Sequence, residues 1–225
     1  MKRCFYLFFA SLLFMACQGE TKTKLESEAP KTLLDSIADA YGYQKWAEVE
    51  QLSFTFNVDH PVRKYARSWH WDVKKSKVKS TIDSVTVVYN KLQVDSSMID
   101  TDARFINDSY WLLFPFKLVW DRDNFSYEVE TILDITKQAS ANRKVTITYG
   151  DTGGYTPGDV YDFHIDPNYH ITEWSWRKSN DSVARLRTKW SSPEPFNGIW
   201  LTTHHQGVAD ELSIYFTELE ILLTE

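Results

Sequence analysis

Cysteine is almost missing from this chain of 225 residues, which contains only Cys4 and Cys17. Because both lie near the start, a fold built from residues 18–225 has no disulfide, no cysteine-ligated zinc and no thiol nucleophile. A Gly-x-Ser-x-Gly nucleophile elbow is also missing. None of the 31 acidic residues stands out as a catalytic pair. We therefore predict that the chain is not an enzyme and needs no cofactor.

The histidines give little support for a metal site. Neighbouring side chains on a strand point to opposite faces, so His204 and His205 cannot chelate one metal ion without distortion. His70 and Asp72 share a strand face, but a zinc site needs a third protein ligand, and the sequence nominates none. We predict no bound metal.

The charge balance argues against one class of partner. The chain has 25 Lys and Arg against 31 Asp and Glu, for a formal net charge of −6. An acidic surface repels phosphate backbones, so nucleic acid is not an expected partner.

The first residues have the layout of an export signal. Two basic residues precede an apolar run over residues 4–16, which is shorter than the about 20 residues that a membrane-spanning helix needs. The segment Leu13-Phe14-Met15-Ala16-Cys17 resembles the lipobox of bacterial lipoproteins, with Phe and Met looser than the usual residues. This predicts a signal peptide over residues 1–16 and lipidation at Cys17. The alternative is a leader cut elsewhere beside an incidental cysteine.

The next segment, residues 17–31, is polar and charged, which is typical of a flexible tether. Gln18, rather than Asp, follows the cysteine, and by resemblance to Gram-negative lipoproteins this favours the outer membrane. We expect a cell-envelope protein that is held on the outer membrane by its lipid anchor, with one domain over residues 32–225.

That domain has the pattern of a mainly β fold. Apolar residues recur at helical spacing over residues 31–49, which predicts an N-terminal amphipathic helix with a break near Gly42. Apolar and polar residues then alternate, which predicts about ten short strands in an antiparallel meander that closes toward a barrel. The strands are expected over residues 52–58, 69–71, 78–82, 85–94, 125–135, 145–149, 160–165, 171–176, 183–190, 199–208 and 212–222.

Alternation stops between Ser96 and Asp121. Residues 98–106 fit a short helix, and the densely apolar run over residues 107–121 contains Pro115, which is expected to prevent a regular strand or helix through its middle. We interpret this run as a short helical lid across one mouth of the barrel. The alternative is a crossover that fills the core and has no role in ligand binding.

Two stretches resemble a known family. Tyr110–Leu118 (YWLLFPFKL) and Tyr149–Tyr161, together with Asp166, are similar to an uncharacterised family of Bacteroidetes-type outer-membrane lipoproteins. That family is in turn similar to the LolA/LolB-like superfamily of lipoprotein carriers, and the similarity runs over about residues 33–223. The resemblance implies a strongly curved antiparallel sheet that forms an incomplete, half-open barrel. Helices would cover a hydrophobic cavity, which receives acyl chains in the carriers.

Aromatic residues are abundant, with 9 Trp, 12 Tyr and 13 Phe. Trp69 and Trp71 are two residues apart, as are Trp174 and Trp176, so each pair projects from one face of its strand. The predicted ligand-binding wall and lid consist of Phe54, Phe56, Trp69, Trp71, Trp111, Phe114, Phe116, Trp174, Trp176, Trp190 and Trp200. Such a wall could accept acyl chains, a sterol-like ring or an aromatic molecule, or it could be filled by its own side chains.

Three hypotheses about function follow. The favoured one is a membrane-anchored, non-catalytic lipoprotein that binds a lipid or another hydrophobic small molecule in the half-barrel. The second is a structural or interaction lipoprotein with a filled barrel that docks an envelope protein partner. The third is an envelope hydrolase, which would need titratable groups that converge in a cleft.

Overall fold

The computed structural model describes residues 31–132, 142–152 and 156–224. The predicted signal peptide, the lipidation site Cys17 and all of the predicted tether except Lys31 lie outside these residues, so they remain predictions. Within the described ranges, no helix combines the length and the apolarity that crossing a membrane requires.

The described residues form two α-helices, thirteen strands and three short 3₁₀ helices. The α-helices are α1 (Leu33–Ala40) and α2 (Ile99–Trp120), and the 3₁₀ helices are Tyr43–Glu48, Arg122–Asn124 and Lys178–Asn180. The strands are β1 (Val49–His60), β2 (Arg63–Asp72), β3 (Lys77–Ile82), β4 (Val85–Asn90), β5 (Phe125–Ile132), β6 (Asn142–Tyr149), β7 (Val160–Ile165), β8 (Ile171–Arg177), β9 (Leu186–Trp190), β10 (Glu194–Phe196), β11 (Ile199–Leu201), β12 (His204–Gly207) and β13 (Ser213–Leu223).

Eleven of the strands form one antiparallel sheet in the order β4-β3-β2-β1-β13-β12-β9-β8-β7-β6-β5. The edge strands β4 and β5 do not pair with each other, so the sheet is not closed, while β10 and β11 form a separate hairpin. Along β1 the side chains of Leu52, Phe54, Phe56 and Val58 are buried, as their alternation predicts. The predicted mainly β fold with an incompletely closed antiparallel sheet is confirmed.

The sheet wraps around α2. Asp108 and Tyr110 are two residues apart on this helix, yet Asp108 binds Arg67 of β2 and the Tyr110 ring lies 5.4 Å from the ring of Tyr161 in β7. Six steps of the strand order separate β2 from β7, a distance of roughly 29 Å in a flat sheet. Neighbouring side chains of one helix reach both strands because the sheet is strongly curved.

The expectation that Pro115 prevents a regular helix through the middle of residues 107–121 holds only as a local distortion, because the chain is helical on both sides of it. The helix continues through Pro115, and the irregularity is confined to Leu113, where φ is −110° and ψ is 17°. Proline lacks an N–H and its ring clashes with the carbonyl of residue i−4, here Trp111, so the helix must distort just before it. Burial of the surrounding apolar residues, including Phe114 and Phe116, stabilises the distorted turn.

The N-terminal helix and its break near Gly42 are confirmed. Thr32 caps α1 in a reciprocal capping box with Asp35. The helical segment then turns at Gly42, whose φ is +79°, and a Cβ at this position would lie 2.4 Å from the carbonyl oxygen of Gly198. Only glycine fits both the left-handed backbone and the close approach to the β10–β11 hairpin.

Candidate functional site

A cavity of about 620 Å³ lies between α2 and the concave face of the sheet. The interior therefore contains a hollow as well as a packed core. The volume lies within the range of about 300–1,000 Å³ that is typical of small-molecule sites. The apolar and aromatic residues that line it are Phe56, Val58, Tyr65, Ala103, Ile106, Tyr110, Trp111, Tyr149, Tyr161, Trp174, Trp176, Leu186, Leu212 and Ile214. The polar ones are Arg63, Asn107, Lys117, Asp121, Asn124, Thr152 and Thr156.

Regular secondary structure positions most of this wall. One face of α2 contributes Ala103, Asn107, Tyr110 and Lys117, whose spacing of three, four and seven residues places them along one side of the helix. The opposite wall comes from β2, β1, β13, β9, β8, β7 and β6. These strands are consecutive in the sheet apart from β12, which lies between β13 and β9 and contributes no residue to the wall. The curvature of the sheet thus creates the cavity.

Four of the predicted binding residues line the cavity, namely Phe56, Trp111, Trp174 and Trp176. The Trp111 and Trp174 rings pack at 4.6 Å between centroids, and the Trp176 indole N–H donates to an Asp159 carboxylate oxygen at 2.7 Å. The tryptophan pair of β8 therefore faces inward, and one member is held in place by a hydrogen bond. Whether these rings contact a ligand remains a prediction.

The other predicted residues lie elsewhere. Phe54, Trp69, Phe114, Phe116 and Trp190 belong to the packed core, with exposed fractions of at most 7%. They pack there because α2 occupies much of the space that the curved sheet encloses.

Trp71 and Trp200 are also away from the cavity. Trp71 is half-buried against Trp46 and Phe105, at 5.6 and 5.5 Å between ring centroids. Trp200 was expected to face inward, but its side chain is 41% exposed because it lies on β11, outside the large sheet. Neither ring contributes to the wall of the cavity.

A tyrosine cluster that the sequence analysis did not single out forms part of the wall. The Tyr110 ring lies 5.4 Å from that of Tyr161, and the Tyr110 and Tyr149 hydroxyls are 3.4 Å apart. Burial raises the pKa of Tyr110 well above its ordinary value and raises the pKa of Tyr161 to about 12. The hydroxyls are therefore neutral at physiological pH. Apolar and polar residues alternate along β6 and β7, and this alternation, which is visible in the sequence, places Tyr149 and Tyr161 on the inner face.

A charged pair lies next to this cluster. The Lys117 ammonium is 3.7 Å from an Asp121 carboxylate oxygen and 5.6 Å from the centre of the Trp120 ring. The Tyr149 hydroxyl donates to the same Asp121 oxygen at 3.5 Å. Burial lowers the pKa of Lys117, while the nearby carboxylate opposes this shift. The pair gives this side of the cavity a polar but electrically balanced lining.

The lining offers little for catalysis. In the described part of the chain, Asp121 is the single carboxylate on the cavity wall, and no histidine or cysteine lines it. Nor do the described residues contain a group of three or more His, Cys, Asp or Glu side chains that could hold a metal ion. The geometry suits binding of an apolar molecule better than acid–base or nucleophilic chemistry.

Comparisons with known proteins give distant structural similarities. No family model matches the sequence, and no curated protein matches it. A LolA superfamily protein of Nitrosomonas europaea matches over 87% of this chain and 96% of its own, with 8% identity and a TM-score of 0.49. A DUF1329 family protein of Desulfovibrio piger covers 85% and 94% of the two chains, with 8% identity and a TM-score of 0.45.

A third solved structure is a candidate outer membrane lipoprotein-sorting protein domain of Vibrio parahaemolyticus. It covers 82% of this chain and 91% of its own, with 8% identity and a TM-score of 0.44. The LolA superfamily, which the sequence analysis named, is thus among the structural neighbours.

Proposed function

We propose that this chain binds one lipid or other hydrophobic molecule in the cavity beside α2 and catalyses no reaction on it. The observation that carries the proposal is the cavity itself, about 620 Å³ in volume and lined mainly by aromatic and aliphatic side chains. Burial of an apolar ligand against such a wall is favourable by about 0.8 kcal/mol for each methylene group removed from water. The same hollow favours a ligand-binding role over a purely structural one.

The polar groups of the wall fit an orienting role. Neutral tyrosine hydroxyls and the balanced pair of Lys117 and Asp121 can hydrogen-bond a polar part of a ligand without leaving a net charge in an apolar space. Ligand sites in proteins commonly combine an apolar wall with a few such groups.

The proposal includes a location. A signal peptide over residues 1–16 and lipidation of Cys17 would hold the binding domain at the outer membrane through a lipid anchor, with residues 17–31 as the tether. The support for this part is the basic start, the short apolar run and the Ala16-Cys17 step in the sequence. A hydrophobic molecule of the envelope would then be within reach of the cavity.

The binding proposal can be tested by filling the cavity. Ala103 lines the cavity from α2, while its neighbour Arg104 is exposed. We expect the full chain, freed of co-purifying lipid, to bind the neutral dye Nile red saturably at one site. Ala103→Trp should weaken that binding at least tenfold, because the indole occupies space that the dye needs. Arg104→Trp is the matched control and should bind the dye like the parent.

Circular dichroism and thermal unfolding should show that both variants fold. An Ala103→Trp variant that folds and binds Nile red as tightly as the parent would contradict a site in this cavity. Dye binding by the parent that does not saturate would contradict the proposed function as a whole.

A further inference from the structure

One cation of the cavity wall lacks a carboxylate partner among the described residues. Arg63 begins β2 and lines the cavity, and its guanidinium carbon lies 4.9 Å from the centre of the Tyr65 ring. Lys117, the other cation of the wall, is paired with Asp121. Arg63 is therefore available to an external group.

The cavity wall consequently has a charge opposite to that of the whole chain. Lys117 and Asp121 cancel, so Arg63 leaves one positive charge on the wall, whereas the chain as a whole has a formal charge of −6. A single positive charge beside an apolar hollow attracts a ligand that has both an anionic group and an apolar part.

The surroundings of Arg63 suit such a ligand. The cavity residues of the next two strands in the sheet are Phe56 and Val58 in β1 and Ile214 in β13, which are all apolar. Stacking on Tyr65 restricts the guanidinium, so less freedom is lost when it binds an anion. The planar guanidinium can donate two parallel hydrogen bonds to a carboxylate or a phosphate. Because Arg63 is exposed, this group would be bound at the edge of the cavity.

We infer that the ligand is an amphiphile with a carboxylate or phosphate group, which Arg63 binds while the apolar part lies between α2 and the curved sheet. This inference rests on the proposed function and names the chemical class of its ligand.

Three competitors whose acyl or alkyl chains have the same number of carbon atoms test the inference by displacing Nile red from the full chain. They are hexadecanoic acid, hexadecyl phosphate and the neutral methyl hexadecanoate. We expect at least one anion to displace the dye at about tenfold lower concentration than the ester, which corresponds to one added charge-assisted hydrogen bond. Which anion is preferred distinguishes a carboxylate from a phosphate ligand.

Arg63→Gln should abolish the preference for the anion and leave displacement by the ester unchanged. Lys64→Gln is the matched control, because Lys64 is the next residue of β2, does not line the cavity and pairs with Asp59 at 2.8 Å. It should keep the preference.

The outcomes separate the two proposals. If the ester displaces the dye and neither anion does so at a lower concentration than the ester, the inference about Arg63 fails while the proposed function stands. A preference that persists in Arg63→Gln also overturns the inference. If the dye does not bind the parent saturably, the proposed function itself fails.

Discussion

At the scale of single residues, His205 stands out as a titratable side chain in the apolar interior. Its side chain is fully buried, and its ring lies 5.3 Å from that of Trp111 and 4.4 Å from that of Trp190. Neither ring nitrogen has a hydrogen-bond partner among the described residues. Burial, with a smaller contribution from His204, lowers the pKa of His205 from 6.5 to about 3.

This lowered pKa predicts a pH-dependent stability. Below pH 6.5 the unfolded chain binds a proton at His205 and the folded chain does not, until the pH approaches 3. The free energy of unfolding should therefore decrease by about 1.4 kcal/mol for each pH unit well below 6.5. His205→Leu removes this contribution. Between pH 7.5 and pH 5.0 the decrease in the free energy of unfolding, measured by urea unfolding, should be about 2 kcal/mol smaller in the variant than in the parent.

His204→Leu is the control for this experiment, because it removes an exposed histidine from the opposite face of the same strand. We expect it to lose as much stability as the parent over the same pH range. Equal losses in the parent and in His205→Leu would contradict the picture of a neutral histidine in a dry interior.

The sequence predicted part of this arrangement. The period of two along a strand assigns His204 and His205 to opposite faces, and the structure has one exposed and one buried. The missing hydrogen-bond partner could not be predicted, because Trp111, which covers His205, comes from α2, far away in the chain.

At the scale of secondary structure elements, a buried ion pair attaches α2 to the sheet. The fully buried Asp108 carboxylate accepts hydrogen bonds from Arg67 Nε at 2.7 Å and Nη2 at 2.5 Å, and from the Trp69 indole N–H at 2.8 Å. Three donors from β2 thus satisfy one helix side chain. The contact fixes the side of α2 that faces the cavity.

Breaking this pair should destabilise the fold strongly. Arg67→Leu leaves the Asp108 carboxylate buried without its cation, so we expect the free energy of unfolding to fall by about 3–5 kcal/mol. The double variant Arg67→Leu, Asp108→Leu should lose less than the single variant, because no buried charge remains. Urea unfolding of both at pH 7 measures the difference. A double variant that is less stable than Arg67→Leu would show that the pair itself contributes the stability.

Elements were predicted best where a local rule decides the structure. The alternation in β1 and the break of the N-terminal helical segment at Gly42 are of this kind. The helix through Pro115 and the division of residues 199–208 into β11 and β12 were not predicted. A proline in a helix has a local cost, and here the burial of its apolar neighbours in the tertiary structure offsets it. The break between β11 and β12, at residues 202–203, was missed because residues 199–208 had been interpreted as one alternating strand.

At the scale of the whole molecule, the cavity exists because a long helix lies inside a curved sheet without filling it. The sequence predicted a wall of inward-facing aromatic rings, and Trp174 and Trp176 are part of it. It could not separate these rings from Phe114 and Trp190, which pack against each other in the core at 5.9 Å. That distinction depends on where α2 lies against the sheet, and no local pattern encodes this position.

The most direct measurement is photo-crosslinking of the full chain with a neutral alkyl diazirine, followed by mapping of the labelled peptides. The proposed function predicts labels on cavity residues such as Ile106, Trp176 and Leu212, and weaker labelling in Ala103→Trp. Val85 and Val88 are an internal comparison, since they are apolar and exposed on the edge strand β4. Labels on these exposed residues with none in the cavity would contradict a hydrophobic ligand site inside the sheet.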